Sequence, residues 1–191
     1  MYELPKKLNV NGRWYRIRTD FRAVLDILAA FSDPELDQDD KDQVMREILY
    51  IDYETIPVDD WEEAAKQAAW FVDGGIMVED GSPKPRTMDW QKDSPIIIPA
   101  VNRIASRDVR SMKYLHWWTF FGYYMEIGGD CLFSTVQTYR QNRAEGKKPE
   151  KWEIDFYRKN KSLCELPQIL TREQKERKEA EEAALKKMLG E

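Results

Sequence analysis

The chain has 191 residues, 42% hydrophobic and 34% charged, which is enough for one sizeable core and too apolar for a disordered chain. Its net charge of −5 is unevenly spread: residues 31–93 carry −12, against +3 over residues 1–30 and +4 over residues 94–170. An acidic middle of that size disfavours nucleic-acid binding. The two cysteines, Cys131 and Cys164, stand in no metal-ligand spacing, so neither a disulfide framework nor a structural zinc site is expected and no cofactor is implied.

Residues 1–18 read as a small β-hairpin. Leu8-Asn9-Val10 and Arg13 to Arg18 flank Asn11-Gly12, the dipeptide that most readily takes the positive φ angles of a two-residue turn. Two strands alone are marginal in water, so the side bearing Trp14 or Tyr15 must lie on other structure. Asp20 then caps a helix whose apolar positions Phe21, Val24, Leu25, Leu28 and Phe31 follow the 3.6-residue period, ending at Ser32-Asp33-Pro34.

Asp37-Gln38-Asp39-Asp40-Lys41-Asp42 reads as an acidic linker before a second stripe, Val44, Met45, Ile48 and Leu49. Its resemblance to a calcium loop fails, because Lys41 and Asp42 occupy positions that require a ligand and a glycine, and capping and solvation are the expected roles of its carboxylates. Residues 50–57 form a connection. Asp59 or Asp60 is then the expected cap of a helix from Trp61 to Val72, with Glu62 and Glu63 in its first turn, a small Ala face, and Asp73-Gly74-Gly75 as its stop. From Gly74 to Asp93 a long loop is expected, with a short strand at Ile76-Met77-Val78. Ser94-Pro95 starts the next helix, burying Ile96, Ile97, Ile98, Val101 and Ile104 despite Pro99.

Tyr114 to Ile127 holds seven aromatic rings and one formal charge. Read as a helix, it places Tyr114, Trp117, Trp118, Phe121 and Met125 on one stripe, with Phe120, Tyr123 and Ile127 largely outside it. At about 1.5 Å per residue its length is about 21 Å, too short to span a bilayer. Seven buried rings would contribute about 10–20 kcal/mol before entropy is subtracted, making this helix the expected spine of the core. His116, the single histidine, has no second histidine and no nucleophile setting. It reads as a satisfied core side chain, and is the only general-base candidate were the protein an enzyme.

Beyond Gly128-Gly129, Asp130 is expected to cap a helix through Leu132, Phe133, Val136 and Tyr139. Lys147-Lys148-Pro149 starts another with Trp152, Phe156 and Tyr157. The basic and aromatic mix from Lys147 to Lys161, offset by Glu150, Glu153 and Asp155, reads first as a solvated helix face; contact with a partner protein through Lys151, Trp152 and Tyr157 is the second reading and nucleic acid the third. The segment 167–191 reads as a charged helical tail whose stripe of Leu185, Met188 and Leu189 suits a partner or a second copy. The expected protein is mainly α: one domain over residues 1–166, with about six to seven helices and the hairpin, followed by that tail. Without a signal peptide or spanning segment, it is expected to be soluble, intracellular and free of the membrane.

Met112-Lys113-Tyr114-Leu115-His116-Trp117-Trp118-Thr119-Phe120, followed by Cys131 to Arg140 with its Tyr139-Arg140 end, resembles the bacteriophage gene-product-fifteen family. Leu115, His116, Trp117, Trp118 and Phe120 are the core of the likeness, which extends from the hairpin to about Leu166. Gly122 and Tyr123-Tyr124 depart from the more aliphatic continuation of the family. The resemblance implies a phage or prophage protein of the host cytoplasm that takes part in tail morphogenesis. The implied role is that of a tail-assembly chaperone binding the tape-measure protein, without catalytic residues. A structural tail component is the alternative, and an enzyme using His116 a remote third.

Overall fold

The computed structural model describes residues 3–76 and 85–168, together with 170, 171, 173, 174, 176–178, 180 and 181. Strands β1 (Lys7–Val10) and β2 (Arg13–Arg16) pair antiparallel, with Leu8 opposite Tyr15 and Val10 opposite Arg13. Asn11 and Gly12 take φ angles of 46° and 86°, as a two-residue turn requires. Leu8 and Val10 are buried and Tyr15 meets Tyr50 edge-to-face at 6.2 Å. It is therefore the Tyr15 side that is covered, while Trp14 remains 66% exposed.

Up to Cys164 seven α-helices follow: α1 (Phe21–Phe31), α2 (Gln38–Leu49), α3 (Trp61–Val72), α4 (Ser94–Ala105), α5 (Trp117–Met125), α6 (Leu132–Ala144) and α7 (Lys151–Cys164). The protein is mainly helical with a small N-terminal hairpin, as the sequence indicates. One hydrophobic cluster runs from Leu8 of the hairpin through α1 to α6, ending at Val136. In the tail, the described positions between 173 and 181 are helical. Leu185, Met188 and Leu189 lie outside the described residues.

Several boundaries differ from those expected. The acidic run at 37–42 is not a linker but the start of α2. Asp37 accepts from the Asp40 amide at 2.9 Å and Asp40 accepts in return from the Asp37 amide at 3.4 Å. This reciprocal cap places the carboxylates at the positive end of the helix dipole. Asp60 precedes α3 without a side-chain capping bond, because a 3-10 turn at Val58–Asp60 feeds the helix directly. By contrast α4 starts at Ser94-Pro95 and continues through Pro99 as expected, with Asp93 preceding it. Cys131, not Asp130, caps α6, its sulfur accepting from the Ser134 amide. Asp130 instead pairs with Arg103 at 3.0 Å. Glu150 and Glu153 form the capping box that starts α7 at Lys151 rather than at Lys147.

The aromatic stretch departs furthest from a uniform helix. Tyr114 to His116 are not helical, because this segment pairs with residues 19–21: the Phe21 amide donates to the Leu115 carbonyl at 3.0 Å and the Trp117 amide to the Thr19 carbonyl at 2.7 Å. Once the helix starts at Trp117 the buried face changes. Trp117 and Phe120 are fully enclosed, whereas Tyr114 is 51% and Met125 59% exposed. The expected stripe was thus rotated, and only some of the seven rings lie in the core.

Candidate interaction surface

The signature residues act together as a structural junction. His116 caps α5, its Nδ1 accepting from the Trp118 amide at 3.1 Å, while its Nε2 lies 3.0 Å from the Pro5 carbonyl at the foot of the hairpin. A carbonyl can only accept, so Nε2 carries the proton and the ring is the neutral tautomer. Burial, helped by nearby Lys6, pushes its pKa down against the opposing hydrogen bond to Pro5. Both ring nitrogens are occupied by backbone groups. The indoles of Trp117 and Trp118 donate at 2.9 Å to the carbonyls of Val72 and Phe71, at the end of α3 where carbonyls lack intrahelical partners; Phe71 also accepts from the Gly74 amide at 3.1 Å. Beneath them Gly74 and Gly75 have φ angles of 70° and 76°. A Cβ on Gly74 would stand 2.6 Å from Phe121, and one on Gly75 2.8 Å from Trp118.

A second junction was not anticipated as such, although Arg140 lies in the signature. Arg140 is buried, and its guanidinium makes five hydrogen bonds. Two go to the carboxylate of Asp93, at 2.6 and 2.9 Å, and three to the carbonyls of Thr87, Leu163 and Cys164. Every donor of the fork is used. Asp93 also accepts from the Asp89 amide. This one residue ties the segment before α4 to α6 and to the end of α7. Residues 85–93, expected as part of an open loop, are thereby held on the core, with Trp90 packed 4.9 Å from Tyr124 and 6.4 Å from Trp117. Nearby, Asn142 and the Glu150 amide donate to buried Glu153 and hold its carboxyl below the usual range.

The candidate contact residues of α7 are not gathered into one apolar patch. Lys151 and Trp152 are exposed, and the indole of Trp152 donates to Glu150. Tyr157 stacks on Tyr139 of α6 at 5.6 Å and donates to Glu165, which together with partial burial pushes its pKa up to about 12. Ile154 is the other outward apolar residue of this helix.

A different surface does combine apolar area with concentrated charge. Phe31 at the end of α1, Met45 of α2, and Trp61, Ala65 and Ala69 of α3 line a groove of about 670 Å³. Trp61, Ala65 and Ala69 recur at the i, i+4, i+8 spacing of one helix face, and the small alanines keep the groove open. Its rim carries Asp39, Asp42 and Glu62. Lys66 is taken by Glu62 at 2.7 Å and Arg46 lies over the Trp61 ring at 4.7 Å, so among the described residues Asp39 and Asp42 have no cationic partner. Sequence reading noted the Ala face of α3. It did not foresee this groove, since its walls come from three separate helices.

Among the described residues no group of three His, Cys, Asp or Glu side chains could hold a metal ion, and no helix is long and apolar enough to cross a membrane. The fold defines a mainly helical protein with a small N-terminal hairpin. The chain belongs to the family described as Bacteriophage Gp15 protein, whose model matches residues 1–166. No curated protein and no solved structure gives a significant match.

Proposed function

We propose that this phage protein is a non-enzymatic tail-assembly factor of the host cytoplasm that binds the tape-measure protein and keeps it soluble until the tail polymerises. The observation carrying this reading is the α1–α2–α3 groove, with its exposed Trp61 and with Asp39 and Asp42, which have no cationic partner among the described residues. An apolar floor beneath a negative rim suits an amphipathic helix that presents apolar anchors at i, i+3 and i+4 between lysines or arginines. Lys151, Trp152 and Tyr157 of α7, with Leu185, Met188 and Leu189 of the tail, supply further contacts or a site for a second copy. His116 serves as a cap in this reading and has no catalytic part.

Co-expression with the tape-measure protein of the same phage tests it. A soluble complex is expected, and it should be lost in a Trp61→Ala/Asp39→Lys/Asp42→Lys variant that keeps the wild-type circular dichroism. Recovery of the tape-measure protein only as an insoluble pellet, with no complex, overturns the proposal. Stoichiometric retention of the protein in purified particles would favour a structural tail component instead.

A further inference from the structure

The hairpin leaves one edge of its sheet open. The Ile17 amide donates to the Lys6 carbonyl at 3.1 Å, and from that pair the alternation of an antiparallel ladder places 8 with 15 and 10 with 13 as the hydrogen-bonded pairs. The same alternation turns the backbone of Arg16 outward, and there it is used: the Arg16 carbonyl accepts from the Ile51 amide and the Arg18 amide donates to Leu49, with a bridge between Ile17 and Tyr50. On the opposite edge Lys7 and Asn9 point their amides and carbonyls away from β2, and neither backbone has a partner among the described residues. At Pro5, the next outward position, the carbonyl is taken by His116.

A groove of about 890 Å³ runs along this edge. Trp14 lines it from the solvent face of the sheet, and Leu4, Gln67 and Trp70 from the α3 side. Side chains on an added strand would therefore alternate between two settings. Those on one face would meet Leu4 and Trp70, and those on the other would meet Trp14 and Lys7. Residues 6–18 contain Lys6, Lys7, Arg13, Arg16 and Arg18 and no carboxylate. Glu3, at the end of the groove, is its one acidic residue. Arg16 is paired with Asp52, whereas Lys6, Lys7 and Arg13 have no carboxylate partner among the described residues. A lysine on an edge strand discourages indiscriminate pairing. Here it also selects, because a carboxylate on the incoming strand would neutralise it.

We infer that the open edge of β1 is a docking site for an extended partner segment in which apolar residues alternate with carboxylates, added as a third antiparallel or parallel strand. This surface is separate from the acidic groove of α2 and α3, and the two differ in both charge and the backbone conformation they accept.

The test uses the full-length, ¹⁵N-labelled protein and a capped Val-Glu-Val-Glu-Val-Glu peptide, with the Val-Lys hexamer as control. The acidic peptide should slow amide exchange at Lys7 and Asn9 by about tenfold or more while leaving the already paired Leu8 and Val10 little changed. Lys7→Glu should weaken its binding about three- to tenfold and favour the lysine peptide, whereas Trp61→Ala should leave both peptides unaffected. Absence of binding, equal binding of the two peptides, or binding without protection at Lys7 and Asn9 overturns the inference.

Discussion

At His116, a single ring closes two backbone accounts, capping α5 with one nitrogen and holding the foot of the hairpin with the other. Its lowered pKa gives this a pH signature. The unfolded chain binds a proton near pH 6.5 and the folded chain only at lower pH. The unfolded state therefore carries more protons in that window, and stability falls as pH drops below about 6.5 while remaining level above it. Urea midpoints followed from pH 7.5 to about 5 should show this slope, and His116→Gln should be less stable at neutral pH with the histidine part of the slope removed. A slope unchanged in the variant would contradict the assignment. Arg140 offers a stronger effect. Arg140→Met leaves Asp93 charged, buried and without its fork, at an expected cost of about 3–5 kcal/mol in chemical denaturation. Asp93→Leu/Arg140→Met should lose less than the sum of the single changes, since neither ion is then left alone.

Among the elements, α5 shows how a start point sets a helix's buried face. Phe120→Ala should cost about 3–5 kcal/mol, as for other enclosed phenylalanines. Met125→Ala should stay within about 0.5 kcal/mol, because its side chain is exposed. Comparable losses from the two would mean that the helix is rotated relative to the face described. The turn after α3 makes a complementary case. Gly74→Ala combines a positive φ with a Cβ placed 2.6 Å from the Phe121 ring, so a loss above about 1 kcal/mol is expected. Gly12→Ala has the same sign of φ and open space around it, and should cost less. Thermal or urea unfolding of the pair separates backbone strain from steric contact.

Across the whole molecule, charge is divided between surfaces rather than spread evenly. The hairpin is basic, and the faces of α2 and α3 carry a large part of the acidic middle. Complex formation through the acidic groove should therefore weaken as salt rises, on-rate first. Surface plasmon resonance of the proposed complex with the tape-measure protein at about 0.05 and 0.5 M salt would show it, and salt-independent association would argue that apolar contact alone carries the proposed interaction.

Much of the fold was legible in the sequence because periodicity and turn chemistry are local. Asn11-Gly12 can serve little else than a tight turn, and Phe21, Val24 and Leu28 describe one helix face without reference to the rest of the chain. The signature around His116 likewise indicated the family and a role in the core. What local pattern could not supply was the set of long-range partners. Tyr114 to His116 looked helical by composition, yet pairing with Thr19 to Phe21 holds them extended, and that shift decides that Phe120 is enclosed and Met125 is not. Asp93 looked like the last polar residue of a loop until Arg140, 47 positions later, supplied its counter-charge. The groove and the open strand edge belong to the same category. Their walls come from elements that only folding brings together, so tertiary structure alone settled where this protein presents apolar surface and unpaired charge.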